Sequence, residues 1–231
     1  MDDMLRPIYQ ERASLPETLG VLLIEKIHPI SPVTDNFDVI LFVIVSESEQ
    51  PWFVKHYEFK DQTAALHIVN RELVKEWLLH GSNRRAIEWM LNGKILFERN
   101  EYITIERDKL REFPLEDRKF RMGVEFAKLI RRFAEGKNLY ETNQYLDSFN
   151  HIVHALHHLA RLSVIENGFH PEVTVWNQVK QIEPEIFKLY QELVESDEPL
   201  PKRIELLLLA SEFSINLRIH ACLIRNHDVR A

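Results

Sequence analysis

The chain has 231 residues, a formal charge of −7 and a hydrophobic share of 45%, enough for two modest domains or one large one. The acidic balance excludes a general nucleic-acid-binding surface, which needs clustered Lys and Arg, and no run of eighteen uncharged apolar residues is present to span a membrane. A lone Cys222 excludes an internal disulfide, six glycines leave no glycine-rich phosphate loop, and the acidic start Met1-Asp2-Asp3 is unlike a secretory leader. These features predict a cytoplasmic protein without a membrane partner.

Residues 1–18 read as a helix or arm carrying Ile8, Tyr9, Ala13 and Leu15, ended by Pro16. Strands are predicted at 19–27 and 37–47, joined by a loop with prolines at 29 and 32. The seven apolar residues Val39 to Val45 suggest a strand buried on both faces. Trp52–Phe59 and Ala64–Val69 read as a hairpin. A helix follows over 71–79, and Ser82 is a good N-cap for a second over 83–91. Asn92-Gly93 is expected to end that helix in the left-handed conformation. Strands at 94–98 and 102–105 and a short helix to Phe113-Pro114 complete an α+β domain with a mixed sheet over residues 1–116. From residue 117 the apolar period becomes helical. Helices at 117–136, 139–167, 172–195 and 199–226, punctuated by Gly136, Asn167-Gly168 and Pro199-Leu200-Pro201, predict an all-α bundle over 117–231.

Chemistry concentrates where Thr34-Asp35-Asn36-Phe37-Asp38 runs into the second strand. A carboxylate at the mouth of a buried strand is costly unless a cation or hydrogen-bond donors meet it. Because strand side chains alternate, Asn36 and Asp38 are expected to point the same way and Phe37 the other. This segment resembles the nucleotidyltransferase superfamily that includes the aminoglycoside-modifying and minimal nucleotidyltransferases. There a Gly-Ser pair follows the first strand, Asp-x-Asp opens the second, and a later strand supplies a third carboxylate. Glu25-Lys26 stands at the Gly-Ser position, Asn36-Phe37-Asp38 at Asp-x-Asp, and Glu98 at the third carboxylate. The helical second half resembles the substrate domain of the same enzymes. The whole looks most like a group of bacillus-type proteins named nucleotidyltransferase-like.

The resemblance implies Mg²⁺ held by Asp38 and Glu98, with Asp35 assisting from a bulge and Asn36 as a neutral substitute ligand, and a nucleoside triphosphate as donor. Lys26 would offer a positive charge to the phosphates. Gly81-Ser82-Asn83-Arg84-Arg85 lies at a predicted helix N-terminus, so Ser82, Arg84 and Arg85 are candidate nucleotide contacts, or an ordinary cap with solvated arginines.

A hundred degrees per residue gathers Asp147, His151, His154, His157, His158 and Arg161 on one side of the 139–167 helix. Three readings stand. Asp147, His151, His154 and His158 face an acceptor substrate, with a His or Asp147 as general base. His154 and His158, one turn apart, bind a transition metal. Or the histidines pack between helices against carboxylates such as Glu166 or Glu183. Two functions follow: Mg²⁺-dependent transfer of a nucleoside monophosphate from a nucleoside triphosphate to a small-molecule hydroxyl, or a catalytically degenerate nucleotide- or partner-binding regulatory module.

Overall fold

A computed structural model describes residues 2–27, 29–59 and 62–227, with side chains from Leu5 onward and, in the last helix, to Glu212 and at Ile215. The backbone of Cys222 lies in that helix, but its side chain falls outside the described residues. The chain divides into two compact units, residues 1–121 with 171–174, and residues 122–170 with 175–231.

The first unit is built on five strands: β1 (Thr18–Glu25), β2 (Val39–Val45), β3 (Trp52–Phe59), β4 (Gln62–Asn70) and β5 (Lys94–Glu98). Their order across the sheet is β3-β4-β2-β1-β5. β2 and β4 run parallel and every other pair is antiparallel, so the sheet is mixed. All seven residues of β2 are buried, as an unbroken β-branched and apolar run requires at the centre of a two-sided sheet. One face carries Leu22, Ile40, Phe42, Ile44, Ala65 and Val69 against α2 (Arg71–His80), α3 (Arg84–Asn92) and α4 (Tyr102–Glu112). The other carries Val21, Leu23, Leu41, Val43 and Leu66 against Leu5, Ile8 and Tyr9 of α1 (Asp2–Ser14).

Three local expectations are corrected. Residues 102–105, read as a strand, open helix α4, because the chain turns at Asn100 and Glu101, both left-handed (φ 51° and 55°). Asn83, not Ser82, caps α3: its side chain accepts from the Ala86 N–H at 3.1 Å, and the helix starts at Arg84. Gly93 is extended (φ −62°) rather than left-handed, and glycine is needed there because a Cβ would stand 2.6 Å from the Trp89 carbonyl.

The second unit is helical, from α5 (Leu115–Glu141) through α6 (Tyr145–Glu166), α7 (Val175–Ile182), α8 (Pro184–Glu195) and α9 (Leu200–His227). Its core gathers Leu129, Ile152, Leu156, Leu159, Val179, Ile186, Leu193, Ile204 and Leu207. The segment 172–195, read as one helix, is two, since Pro184 occupies the first turn of α8 and cannot continue α7. Gly136 does not end a helix; α5 runs through it. Its missing side chain lets α6 approach, for a Cβ would meet Ile152 Cδ1 at 2.7 Å, and Ser148 Oγ donates to the Gly136 carbonyl at 2.8 Å. Among the described residues no helix is long and apolar enough to cross a membrane.

Gly20 of β1 is the tightest point of the first unit, with a Cβ position 2.3 Å from Ile103 Cδ1, itself fully buried. Gly20→Ala is expected to destabilise the protein by about 1–3 kcal/mol through overpacking. The double variant with Ile103→Val should lose less than the two single losses added together, read from urea midpoints.

Candidate functional site

The segment that leads into β2 is a turn. Asp35 and Asn36 are both left-handed (φ 52° and 66°), a conformation that short amide and carboxylate side chains tolerate. β2 begins only at Val39, so the expected alternation of Asn36 with Asp38 does not operate. Asn36 turns back and accepts from the Ser31 N–H through Oδ1 at 3.2 Å, sealing its own loop. Asp35 pairs with Arg85 of α3, Oδ2 to Nη1 at 2.5 Å, and Arg85 Nε donates to the Pro32 carbonyl at 2.8 Å. Trp89, one turn further along α3, donates from its indole to the Val33 carbonyl at 2.9 Å. Helix α3 thus straps the 31–38 loop down.

Asp38 is occupied as well. Its Oδ2 accepts from the Thr63 N–H at 2.8 Å and from the Thr63 hydroxyl at 3.1 Å, while its own N–H donates to the Thr63 carbonyl at 3.0 Å. These bonds start the parallel β2–β4 ladder. The Thr63 N–H chiefly, then its hydroxyl and the Lys26 charge, hold the Asp38 carboxyl below its ordinary range. Lys26 donates from Nζ to the Asn36 carbonyl at 3.1 Å. Asp35, Asn36, Asp38, Lys26 and Arg85 therefore do meet around one loop, with Arg84 beside Arg85 at the start of α3.

Glu98 does not join them. In the antiparallel registers Glu98 stands opposite Gly20, and Gly20 opposite Ile44. Asp38 lies six residues before Ile44, so the two carboxylates are separated by about 20 Å along the strands and roughly 10 Å across them. Glu98 instead accepts from the Thr104 N–H at 3.0 Å and the Thr104 hydroxyl at 2.8 Å. Glu101, the N-cap residue of α4, makes no side-chain cap bond, and Glu98 takes over that work with its charge at the positive end of the helix dipole. The donor set Asp38, Glu98 and Asp35 does not fit one magnesium ion. Among the described residues no group of three or more His, Cys, Asp or Glu side chains is arranged to hold a metal. The assignment of Glu98 as a shared metal ligand is corrected.

The histidine face of α6 is taken up largely by packing. His158 Nδ1 lies 2.7 Å from Glu125 Oε2, and His151 Nδ1 lies 3.0 Å from Glu135 Oε2, both acids belonging to α5 rather than the expected Glu166 or Glu183. His157 turns inward, accepting the Trp176 indole N–H at 3.0 Å beside a stacked Trp176–Tyr190 pair. Glu183 accepts from Ser163 at 2.6 Å. Asp147 is exposed in the first turn of α6, and His154 is exposed on the same face. His158 is held through Nδ1 by Glu125, and among the described residues no three His, Cys, Asp or Glu side chains are arranged around the His154–His158 pair to hold a metal.

Sequence reading missed an aromatic and histidine cluster. His67 of β4 lies between Trp52 of β3, stacked at 5.9 Å, and Trp89 of α3 at 4.9 Å. Only the hairpin pairing and the position of α3 reveal it. The family is legible at this point. Residues 1–118 match a family model described as nucleotidyltransferase-like, and residues 119–218 match one described as YgxA-like substrate binding domain. The chain belongs to the nucleotidyltransferase-like family. It is 56% identical over 216 residues to the uncharacterised protein YgxA of Bacillus subtilis strain 168, covering 94% of this chain and 74% of that one. It is also similar to the crystal structure of a nucleotidyltransferase-like protein from Exiguobacterium sibiricum 255-15, with 44% identity and a TM-score of 0.78 over 95% of this chain and 76% of that one.

Two measurements check these assignments. Glu98→Ala should lower stability by about 1 kcal/mol, as a lost cap does, and Glu98→Gln by less, because an acceptor oxygen remains. His67 is pushed down to about 4 by burial first and then by His56, with Arg85 lowering it further and Asp35 opposing. A folded-state value below the unfolded 6.5 means that His67 costs nothing above pH 6.5 and withdraws stability as pH falls from there toward 4. His67→Phe should flatten that limb of a denaturation-midpoint profile.

Proposed function

We propose that the protein is a catalytically degenerate member of its family, whose N-terminal unit binds a nucleotide without carrying out nucleotidyl transfer. One observation carries the reading: Asp38 and Glu98 stand at opposite ends of the sheet, so no metal bridge joins them across a triphosphate. The Asp35–Arg85 pair, the bond of Asn36 to Ser31 and the Thr63 bonds of Asp38 support it, because each ties a ligand-type side chain to the fold. Binding is supported by cations around the same loop, where Lys26, Arg84 and Arg85 provide positive charge for an anionic tail. The family description of residues 119–218 as substrate-binding supports a second ligand in the helical unit.

The test is calorimetric titration with each nucleoside triphosphate, with and without Mg²⁺, beside a pyrophosphate-release assay over a panel of small hydroxyl compounds. Nucleotide binding without pyrophosphate release is the expected result. Release that depends on Mg²⁺ and disappears in Asp38→Ala would restore the transferase: transfer of a nucleoside monophosphate to a small-molecule hydroxyl.

A further inference from the structure

β3 is an edge strand, and the face it turns toward the helices is left largely uncovered. Trp52, Val54 and His56 alternate onto that face, opposite Val69, His67 and Ala65 of β4. Trp52 is 46% exposed and Val54 37%, and His56 is exposed too. Large apolar side chains on a strand edge invite pairing or a ligand, and here they adjoin a polar donor rather than a purely greasy surface. The Trp52 indole N–H donates to His67 Nδ1 at 3.2 Å. That bond makes Nδ1 the acceptor, so the neutral ring carries its proton on Nε2. No acceptor among the described residues takes up that Nε2–H.

The shelf is backed by two further indoles and charged at one end. Trp77 meets Trp52 edge-on at 5.2 Å, and Trp89 meets His67 at 4.9 Å. Phe37 lies 4.7 Å from His56, bringing the 31–38 loop to the same place. Arg85 precedes Trp89 by one helical turn, so it lies over Trp89 on the same face of α3. Arg85 also acts on His67 electrostatically, as do Asp35 and His56.

We propose that this shelf holds the base of a nucleotide: the ring packs on Trp52, accepts from His67 Nε2–H, and sends its anionic tail past Trp89 to Arg85. A planar heteroaromatic with ring acceptors suits an exposed indole beside an unspent imidazole donor, and an anion suits the guanidinium one turn away. The idea rests on the binding reading above and locates it on named side chains.

Calorimetry against ATP, GTP, CTP, UTP, the parent nucleosides and inorganic triphosphate tests it, using the native chain, Trp52→Ala, Trp52→Phe, His67→Phe and Arg85→Ala. Trp52→Ala should weaken nucleotides and nucleosides alike by about tenfold or more, with Trp52→Phe recovering most of the loss. His67→Phe should reduce discrimination among bases. Arg85→Ala should weaken nucleotides and triphosphate but spare nucleosides. Unchanged nucleotide affinity in both Trp52→Ala and His67→Phe overturns the shelf while leaving the binding reading standing. So does a sedimentation coefficient that falls in Trp52→Ala with titrations unaltered, because the edge then pairs with another protein chain. A native protein that binds no nucleotide and no nucleoside overturns both.

Discussion

β1 is hydrogen-bonded on both sides by antiparallel neighbours, β2 and β5, and that double pairing dictates where Asp38 and Glu98 stand. Two strands that are each antiparallel to the same third strand run parallel to each other. The start of β2 and the end of β5 then lie at opposite ends of the sheet along the strand direction, with Asp38 just before the one and Glu98 at the other. Slipping the register by one residue would not repair this, since it would turn the buried sets of β1 and β5 to the wrong face. Separation of Asp38 from Glu98 follows from strand direction, and the caps that each one supplies follow from where it was left.

Both carboxylates then do local structural work. Asp38 accepts from Thr63 of β4, and its backbone N–H joins the same exchange, which begins the parallel β2–β4 pair. Parallel ladders lack a tight hairpin to set their register, so a side-chain bond at the open end is a useful pin. Glu98 performs the analogous task for α4. The helical unit uses its charges similarly. Burial alone would raise the Glu125 carboxyl, yet the His158 hydrogen bond, with Lys128 and Arg161, keeps it below its ordinary value. A buried acid with a histidine and two cations around it orders α5 against α6 at the cost of leaving each partner dependent on the others.

Much of the architecture was legible in the chain itself. The unbroken run Val39–Val45 announced a two-sided strand, the Trp52–Val69 segment announced a hairpin, and the shift to a helical period announced the second unit. These signals are local, since burial writes its period into neighbouring residues. The cap of α3, the helix at 102–112 and the break before Pro184 depended on single turn residues, where one dihedral angle decides. Likewise the polar face of α6 was legible, but not its partners, because Glu125 and Glu135 come from another helix.

The sequence by itself determined the family, the mixed sheet followed by helices, and the gathering of Asp35, Asn36, Asp38 and Lys26 near one loop, because all of these follow from pattern and proximity along the chain. Only the tertiary structure decided that Glu98 faces α4, that Arg85 holds Asp35, and that Trp52, His67 and Trp89 share one surface. Each of these joins residues far apart in number, and strand direction and helix placement, which no local period encodes, bring them together or keep them apart.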